Sequence, residues 1–197
     1  MFKDLKILTT GYIEEYSQRL GISPDILLQN MQKKNITVDN FQFYNSVSSV
    51  YSSKIEGEEI DFDSFFKHKF MNIKFKPDYT KKADDLYSAY EFILNNKLSG
   101  KNILNVHKII SNNLLPADQQ GVVRKNPMFV LNSNDEIEYV ATNPANVKNE
   151  LDKLFSDIET LVSLKLNFYE IFYFASLIHL VFVKIHPFQD GNGRTAR

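Results

Sequence analysis

The strongest signal in this chain lies in residues 186–197, which read HPFQDGNGRTAR. The run Gly191-Asn192-Gly193 allows positive φ and an unobstructed backbone, so that successive N–H groups can point into one concavity. A helix that starts near Thr195 would add the partial positive charge of its N-terminus. This stretch therefore predicts a phosphate-binding loop.

Four side chains in the same stretch suit phosphate chemistry. Arg194 and Arg197 are three residues apart, so a helix would place both on one face, where their guanidinium groups can bind one polyphosphate. Asp190 offers a single carboxylate, which is a common protein ligand for Mg²⁺ when phosphate oxygens and water complete the shell. His186 can exchange a proton near pH 7, and we expect it to take the proton from an attacking hydroxyl.

The rest of the chain predicts an all-α fold. Only 7 Gly and 6 Pro occur in 197 residues, whereas a sandwich or barrel needs many turn residues. Apolar spacing and breakers predict helices that begin at Ser23-Pro24 and that cover residues 39–57, 84–98, 103–115, 143–158 and 171–185.

Several local expectations accompany these helices. Gly100 is expected to end one helix and Asn102 to cap the next. Residues 58–80 lack a clear period and are interpreted as a linker with short helical pieces. The apolar run 171–185 is expected to be a buried core helix, since a membrane span needs roughly 20 apolar residues.

One short region has β character. Met128-Phe129-Val130-Leu131 and residues 137–140 flank the polar stretch 132–135, which predicts a β-hairpin. A lone hairpin is marginal in water, so it must lie on the helical body.

Composition excludes several classes of protein. The chain has no cysteine, which rules out disulfides and thiolate sites, and a net charge of -1 argues against binding nucleic acid by bulk charge.

His107 and His179 are interpreted as packing histidines. Arg124 and Lys125 are interpreted as solvated.

Residues 186–197 resemble the signature of the Fic family, His-Pro-Phe-x-Asp/Asn-Gly-Asn-Gly-Arg-x-x-Arg, and match every fixed position. The resemblance extends over residues 84–197 and implies a Fic-type helical core with the hairpin as a flap (residues 128–140). It divides the chain into an N-terminal helical region, 1–80, and a Fic core, 81–197. Further core helices are expected after the motif, so the core would be incomplete at its C-terminus.

The resemblance implies a role for each motif residue. His186 would deprotonate a Tyr, Thr or Ser hydroxyl of a target protein, which attacks the α-phosphorus of ATP, and Asp190 would hold Mg²⁺. The phosphates would contact Gly191, Asn192, Gly193, Arg194 and Arg197. Phe188 would be an anchor in the core. The flap residues that would dock the target are Met128, Phe129, Val130 and Leu131.

A second motif precedes the core. Residues 52–57 read SSKIEG and resemble the inhibitory motif of the same family, Ser/Thr-x-x-x-Glu-Gly/Asn. Ser52 and Glu56 share one helix face, and Gly57 follows as the helix stop. In family members with this motif, the glutamate pairs with the second arginine, here Arg197, and takes the place of the γ-phosphate.

These inferences favour a protein adenylyltransferase restrained by Glu56, with ATP and a target protein as partners, in the cytoplasm and without a membrane or nucleic-acid partner. A homodimer is left open. Three alternatives also stay open: removal of AMP from a modified protein on the same fold, transfer of UMP or phosphocholine, and a catalytically silent module that binds a nucleotide or peptide.

Overall fold

The computed structural model of the chain describes residues 2–20, 24–32, 38–75, 79–132 and 134–197. Within those ranges lie nine helices and one two-stranded antiparallel sheet, which confirms the expected all-α fold with a small hairpin. The elements are α1 (Ile13–Arg19), α2 (Pro24–Gln32), α3 (Val38–Ile55), α4 (Phe62–Met71), α5 (Lys81–Leu94), α6 (Gly100–Ile110), β1 (Phe129–Leu131), β2 (Ile137–Val140), α7 (Pro144–Ser163), α8 (Phe168–Ile185) and α9 (Asn192–Ala196).

The largest apolar cluster joins α7 and α8 and includes Phe188 of the motif loop. Its buried helical members are Val147, Leu151, Leu154, Ile158, Leu161, Tyr173, Phe174, Phe182 and Ile185. The N-terminal segment is tied to this core by the buried carboxylate of Asp157, which accepts the backbone N–H groups of Lys6, Ile7 and Leu8 at 2.7–2.9 Å. The core therefore supports α8 up to the residue that precedes the motif.

Helix α8 packs into the core with one face only, so the expectation of a buried core helix holds for that face and not for the other. Ile171, Phe172 and Leu180 are exposed, and Ile171 and Ile178 help line an apolar groove of about 730 Å³. By length and composition α8 could cross a membrane, with a mean hydropathy of 1.6, and 22% of it is buried. Its apolar character thus reflects both the core face and the groove.

A second cluster joins α3, α4 and α5, with Val50, Phe65 and Tyr87 among its buried members. Helix α4 lies in the segment interpreted as a linker. It begins at Asp61, whose side chain accepts the N–H of Ser64 at 2.8 Å, and it ends in a left-handed residue, Asn72. Phe62, Phe65, Phe66 and Phe70 recur at helical spacing, and Phe65 is buried, so the sequence carries an apolar period that the interpretation as a linker overlooked.

The junction between α5 and α6 differs from the sequence expectation. Helix α5 ends at Leu94, and Gly100 begins α6 instead of ending α5. The N-cap is Ser99, whose hydroxyl accepts the N–H of Asn102, so Asn102 is not the cap. Gly100 is required because a Cβ there would lie 2.4 Å from the ring of Phe155. Helix α6 ends at Ile110, well before the expected stop at Pro116.

The hairpin forms as predicted. Phe129 pairs with Val140 and Leu131 with Ile137, with a bulge between Val130 and Leu131. Helix α7 begins after Asn143, whose side chain accepts the N–H of Ala145. Two predicted positions, the cap Ser23 and the loop residue Ser133, lie outside the described residues.

Candidate active site

The end of α3 directs two carboxylates towards the motif loop. Gly57, at φ 83°, closes a Schellman motif in which its N–H donates to Lys54 O at 3.0 Å and the N–H of Glu58 donates to Ser53 O at 3.1 Å. Glu56 is the last residue before this turn, and Glu58 lies just beyond it. The helix stop that was predicted from Gly57 therefore positions both side chains.

Glu56 and Ser52 hold Arg197. The Arg197 Nη2 donates to Glu56 Oε1 at 2.5 Å and to the backbone oxygen of Ser52 at 3.2 Å, and Nε donates to the Ser52 hydroxyl at 3.0 Å. The guanidinium group is thus bound on two edges by one turn of α3. The structure brings together the three residues that the sequence placed in one interaction.

Glu58 holds the other arginine of the motif. Arg194 Nη2 donates to Glu58 Oε1 at 3.2 Å, and Lys82 Nζ reaches the same oxygen at 2.5 Å. The side chain of Arg194 is only 3% exposed, and its buried Nε has no hydrogen-bond partner in the described part of the protein. Each motif arginine therefore pairs with a different carboxylate from the end of α3.

His186 caps α8 in a left-handed conformation, with φ 51° and ψ 61°. Its ring Nδ1 lies 3.2 Å from Val183 O, and because a carbonyl only accepts, Nδ1 carries the proton. Nε2 is therefore the unprotonated nitrogen of the neutral ring. Burial lowers the pKa of His186, which keeps the ring neutral near pH 7. These properties are those of a general base.

The motif loop is closed by Asn192, which is buried. Its side-chain oxygen accepts the N–H of Phe188 at 2.9 Å, and its amide donates to Phe188 O at 2.9 Å. Both side-chain ends of Asn192 are thus engaged inside the loop, so its contribution to a ligand would come from its backbone. Helix α9 begins at Asn192, three residues earlier than the expected start near Thr195.

A buried histidine supports the loop from below. The His107 ring stacks on Phe188, with centroids 3.5 Å apart and planes at 9°. His107 Nδ1 accepts the N–H of Gly121 at 2.8 Å, so the proton is on Nε2, which donates to Asp190 O at 2.9 Å. Burial lowers the pKa of His107 and favours this neutral form. The packing role expected for His107 is thus a role in shaping the motif loop.

Gly193 forms the floor of the cradle. A Cβ at Gly193 would lie 2.7 Å from Glu56 Oε1, so a carboxylate oxygen rests directly on this glycine. An anionic group is thus accommodated beside two arginines, which fits a phosphate. Asp190 has one oxygen bound by the N–H of Gly191 at 2.6 Å, and the described residues contain no cluster of three His, Cys, Asp or Glu. A Mg²⁺ ion at Asp190 would need phosphate oxygens and water as further ligands, which suits this cation.

The flap presents an apolar outer face. Phe129, Leu131, Ile137 and Val140 are all exposed, whereas the cross-strand pair of Val130 and Tyr139 is half-buried. Tyr139 donates its hydroxyl proton to Lys184 O at 2.5 Å and so fastens the flap to the end of α8. Met128 accepts the N–H of Ala141 at the base of the hairpin.

Arg124 is buried, which corrects its interpretation as a solvated residue. Its guanidinium group donates to backbone oxygens of the α8 end and of the two bases of the flap. A single basic residue next to Lys125 carries no periodic signal, so the sequence could not reveal this. Glu58 was also missed, although its position two residues after Glu56 places it just outside the inhibitory pattern.

Comparisons with known proteins bear on the family and the fold of this chain. A family model described as the Fic/DOC family matches residues 97–197. A Fic family protein from Desulfovibrio desulfuricans G20 has 16% sequence identity and a TM-score of 0.68, over 98% of this chain and 56% of that chain. A Fic domain containing signaling protein from Bacteroides thetaiotaomicron VPI-5482 has 18% identity and a TM-score of 0.63, over 93% and 66%. Fic-1 from C. elegans has 18% identity and a TM-score of 0.59, over 93% and 50%.

The chain thus spans between half and two thirds of the length of these solved structures. At such identities the structural likeness concerns the fold. The family model, in contrast, covers more than half of this chain and includes the whole motif loop. This chain therefore belongs to the Fic/DOC family.

Proposed function

We propose that this protein transfers AMP from ATP to a Tyr, Thr or Ser hydroxyl of a target protein, and that Glu56 restrains the reaction. One observation carries the proposal. The carboxylate of Glu56 lies against Gly193 and pairs with Arg197, in the place that the γ-phosphate of ATP would take. The motif loop around this place begins at His186, a neutral histidine with an unprotonated Nε2.

The protein takes little covalent part in this reaction. The target hydroxyl attacks the α-phosphorus of ATP, its proton passes to Nε2 of His186, and the bond to the β-phosphate breaks to release pyrophosphate. The barrier is then lowered mainly by orientation of the reactants and by stabilisation of the developing negative charge. Gly191 and Gly193 leave the backbone of the loop open for the phosphates.

The arginines supply the positive charge. The side chain of Arg194 is 3% exposed, so its interaction with phosphate oxygens would be weakly screened, whereas the side chain of Arg197 is 22% exposed. Asp190 would hold Mg²⁺, which would neutralise part of the phosphate charge. The Nε of Arg194 has no partner in the described part of the protein, and a buried donor of this kind is expected to gain a partner from a ligand. This supports phosphate binding by Arg194.

The restraint follows from competition for Arg197. While Glu56 accepts from Nη2, this edge of the guanidinium group is not free for the γ-phosphate. Removing the carboxylate of Glu56 should therefore let ATP adopt the geometry in which its α-phosphorus faces His186. The hydrogen bond from Arg197 Nε to the Ser52 hydroxyl would remain as a weaker hold on the guanidinium group.

The flap supports a protein as the second substrate. Within the described residues the sheet has two strands, so each strand has one edge without a neighbouring strand. An extended target segment can add to such an edge by backbone hydrogen bonds. The exposed side chains of Phe129 and Leu131 would contact the side chains of that segment.

The test is transfer of label from ATP that is labelled at the α-phosphate. The wild type, Glu56→Gly, His186→Ala and the double variant with both substitutions are incubated with Mg²⁺, the labelled ATP and cell lysate, and protein-bound label is measured. Glu59→Gly is the matched control for Glu56, since Glu59 is exposed and contacts neither motif arginine in the structure.

We expect more label with Glu56→Gly than with the wild type or Glu59→Gly, and none when His186→Ala is added to Glu56→Gly. Equal labelling by all variants would contradict the proposal. An enzyme that removes AMP through Glu56 would instead lose activity in Glu56→Gly, which can be measured on labelled protein.

A further inference from the structure

Arg124 forms a junction between the flap and the end of α8. Its Nε donates to His186 O at 2.6 Å, and one Nη2 contact reaches Ile185 O at 3.2 Å. On the other side, Nη1 donates to Asn126 O at 2.6 Å and Nη2 donates to Thr142 O at 2.7 Å. Asn126 and Thr142 lie just before β1 and just after β2, so one guanidinium group holds both bases of the hairpin.

The junction uses two carbonyl groups from the last turn of α8, which a helix leaves without partners at its C-terminus, and the two carbonyl groups that follow the helix. Tyr139 binds Lys184 O, the side chain of Arg124 binds the next two carbonyls, and the backbone N–H of Arg124 donates to Pro187 O at 2.8 Å. Four consecutive carbonyls, residues 184–187, are therefore bound by the flap and by Arg124, which lies four residues before it.

Electrostatics favours a cation at this place. The helix dipole leaves partial negative charge at the C-terminus of α8, and Arg124 is 5% exposed. Among the described residues no carboxylate forms a salt bridge with Arg124, so its four carbonyl partners replace the lost hydration. Such a residue is costly to bury, and its fork geometry matches acceptors that a lysine could not span.

We propose that Arg124 is a positioning residue that fixes His186 to the flap, so that a target segment docked on the flap meets Nε2 of His186 in a constant geometry. This inference rests on the proposed function for its consequence in catalysis. The link itself is a property of the fold and can be measured without any transfer reaction.

The variants separate charge, geometry and fold. Arg124→Gln removes the cation and most of the donors, Arg124→Lys keeps the charge with a single donor group, and Tyr139→Phe removes only the bond to Lys184 O. Lys125→Gln is the matched control, because Lys125 is the exposed neighbour with the same charge. All are made in the Glu56→Gly protein, with unfolding in urea as the check of folding.

Two readouts are independent of stability, and Arg124→Lys, which keeps the charge, separates position from charge in the first of them. The first is the side-chain NMR titration of His186, assigned by comparison with His186→Ala. Arg124 and Asp190 are the charges that act on this ring, and loss of Arg124 should raise the pKa of His186. The second is the rate of label transfer at saturating Mg·ATP, compared with the affinity for Mg·ATP measured by calorimetry.

We expect Arg124→Gln and Arg124→Lys to slow transfer by roughly 10- to 100-fold, part of the usual contribution of a positioned base, with ATP affinity changed less than about twofold. Arg124→Gln should also shift the His186 titration, and Lys125→Gln should change neither. Tyr139→Phe, which keeps the guanidinium junction, should have a smaller effect in the same direction and keeps the test open if Arg124→Gln does not fold.

The outcomes distinguish this inference from the proposed function. Normal transfer and an unchanged His186 titration in both Arg124 variants would overturn the inference while leaving the transferase intact. If no protein transfers label but the His186 titration moves in Arg124→Lys, which keeps the charge, the link stands and the proposed reaction fails.

Discussion

Glu56 Oε1 accepts a hydrogen bond of 2.5 Å from Nη2 of Arg197, although the two residues are 141 positions apart in the chain. The same carboxylate oxygen lies so close to Gly193 that a Cβ there would approach it to 2.7 Å. The end of α3 and the motif loop are therefore in direct contact through both motif arginines.

Ser52→Ala should loosen the hold on Arg197 more weakly than loss of Glu56. The hydroxyl of Ser52 contributes one of three hydrogen bonds to the guanidinium group, worth about 1 kcal/mol, so Mg·ATP affinity should rise by at most about fivefold. Calorimetry measures this. Ser53→Ala is the matched control, since its buried hydroxyl has no partner in the structure, and an equal gain in affinity there would contradict the account.

Glu58→Gln should destabilise the protein without ATP and much less with it. Arg194 is nearly buried, and the substitution weakens its salt bridge, which should lower the free energy of unfolding by about 1–2 kcal/mol after allowance for the partial exposure of Glu58. Phosphate oxygens would replace the carboxylate, so saturating Mg·ATP should remove most of the difference in urea unfolding.

Lys82→Met tests the same contact from the other side. It removes the second cation on Glu58 Oε1 but leaves the pair with Arg194. We expect a loss of stability in urea that Mg·ATP does not reverse, because Lys82 is not among the residues proposed to bind phosphate. Repair by ATP in both variants would argue against a direct role of Arg194 in binding phosphate.

His107→Phe should keep the stacking on Phe188 but lose both ring hydrogen bonds. The N–H of Gly121 and the carbonyl of Asp190 would lose these partners, which should lower the free energy of unfolding by about 2–4 kcal/mol. Urea unfolding measures this cost, and a value near zero would show that the loop does not depend on His107.

The same residue should make stability depend on pH. Burial lowers the pKa of His107 below 6.5, so between the lowered value and 6.5 the unfolded chain binds a proton that the folded chain does not. The stabilisation is therefore full above pH 6.5 and is lost as the pH falls through the folded pKa. His186 has a lowered pKa as well, so the comparison is made in His186→Ala. In the His186→Ala protein, adding His107→Phe should make the free energy of unfolding fall less between about pH 7.5 and about pH 5.5.

Gly100→Ala should destabilise the packing of α6 on α7. The new Cβ would meet the ring of Phe155 at 2.4 Å, and such overpacking costs about 1–3 kcal/mol in the free energy of unfolding. Gly11→Ala is the control, because its Cβ would have an ordinary contact of 3.4 Å with Thr9. Equal stability of the two variants in urea would show that Phe155 moves aside at little cost.

The sequence predicted the parts of this protein that depend on local pattern. Residues 186–197 carry their chemistry in a fixed order, and the hairpin is marked by two β-prone runs around a polar loop. Gly57 signalled the end of α3, and the spacing of Ser52 and Glu56 put them on one face. These features depend on neighbours in the chain, which a sequence displays directly.

The features that the sequence did not reveal depend on distant neighbours. Gly100 looked like a helix stop, but its role is set by Phe155 on another helix. Arg124 looked like a surface cation because its partners are backbone carbonyls, which have no sequence signal. Glu58 gains its role from Arg194, 136 positions away. Tertiary contact decided each of these cases.

The most direct test of the central claim compares ATP labelled at the α-phosphate with ATP labelled at the γ-phosphate, each incubated with Glu56→Gly, Mg²⁺ and lysate. The account predicts protein-bound label only from α-labelled ATP, with the γ-label released in pyrophosphate, and no label when His186→Ala is added. Protein-bound γ-label, or α-label that persists without His186, would contradict it.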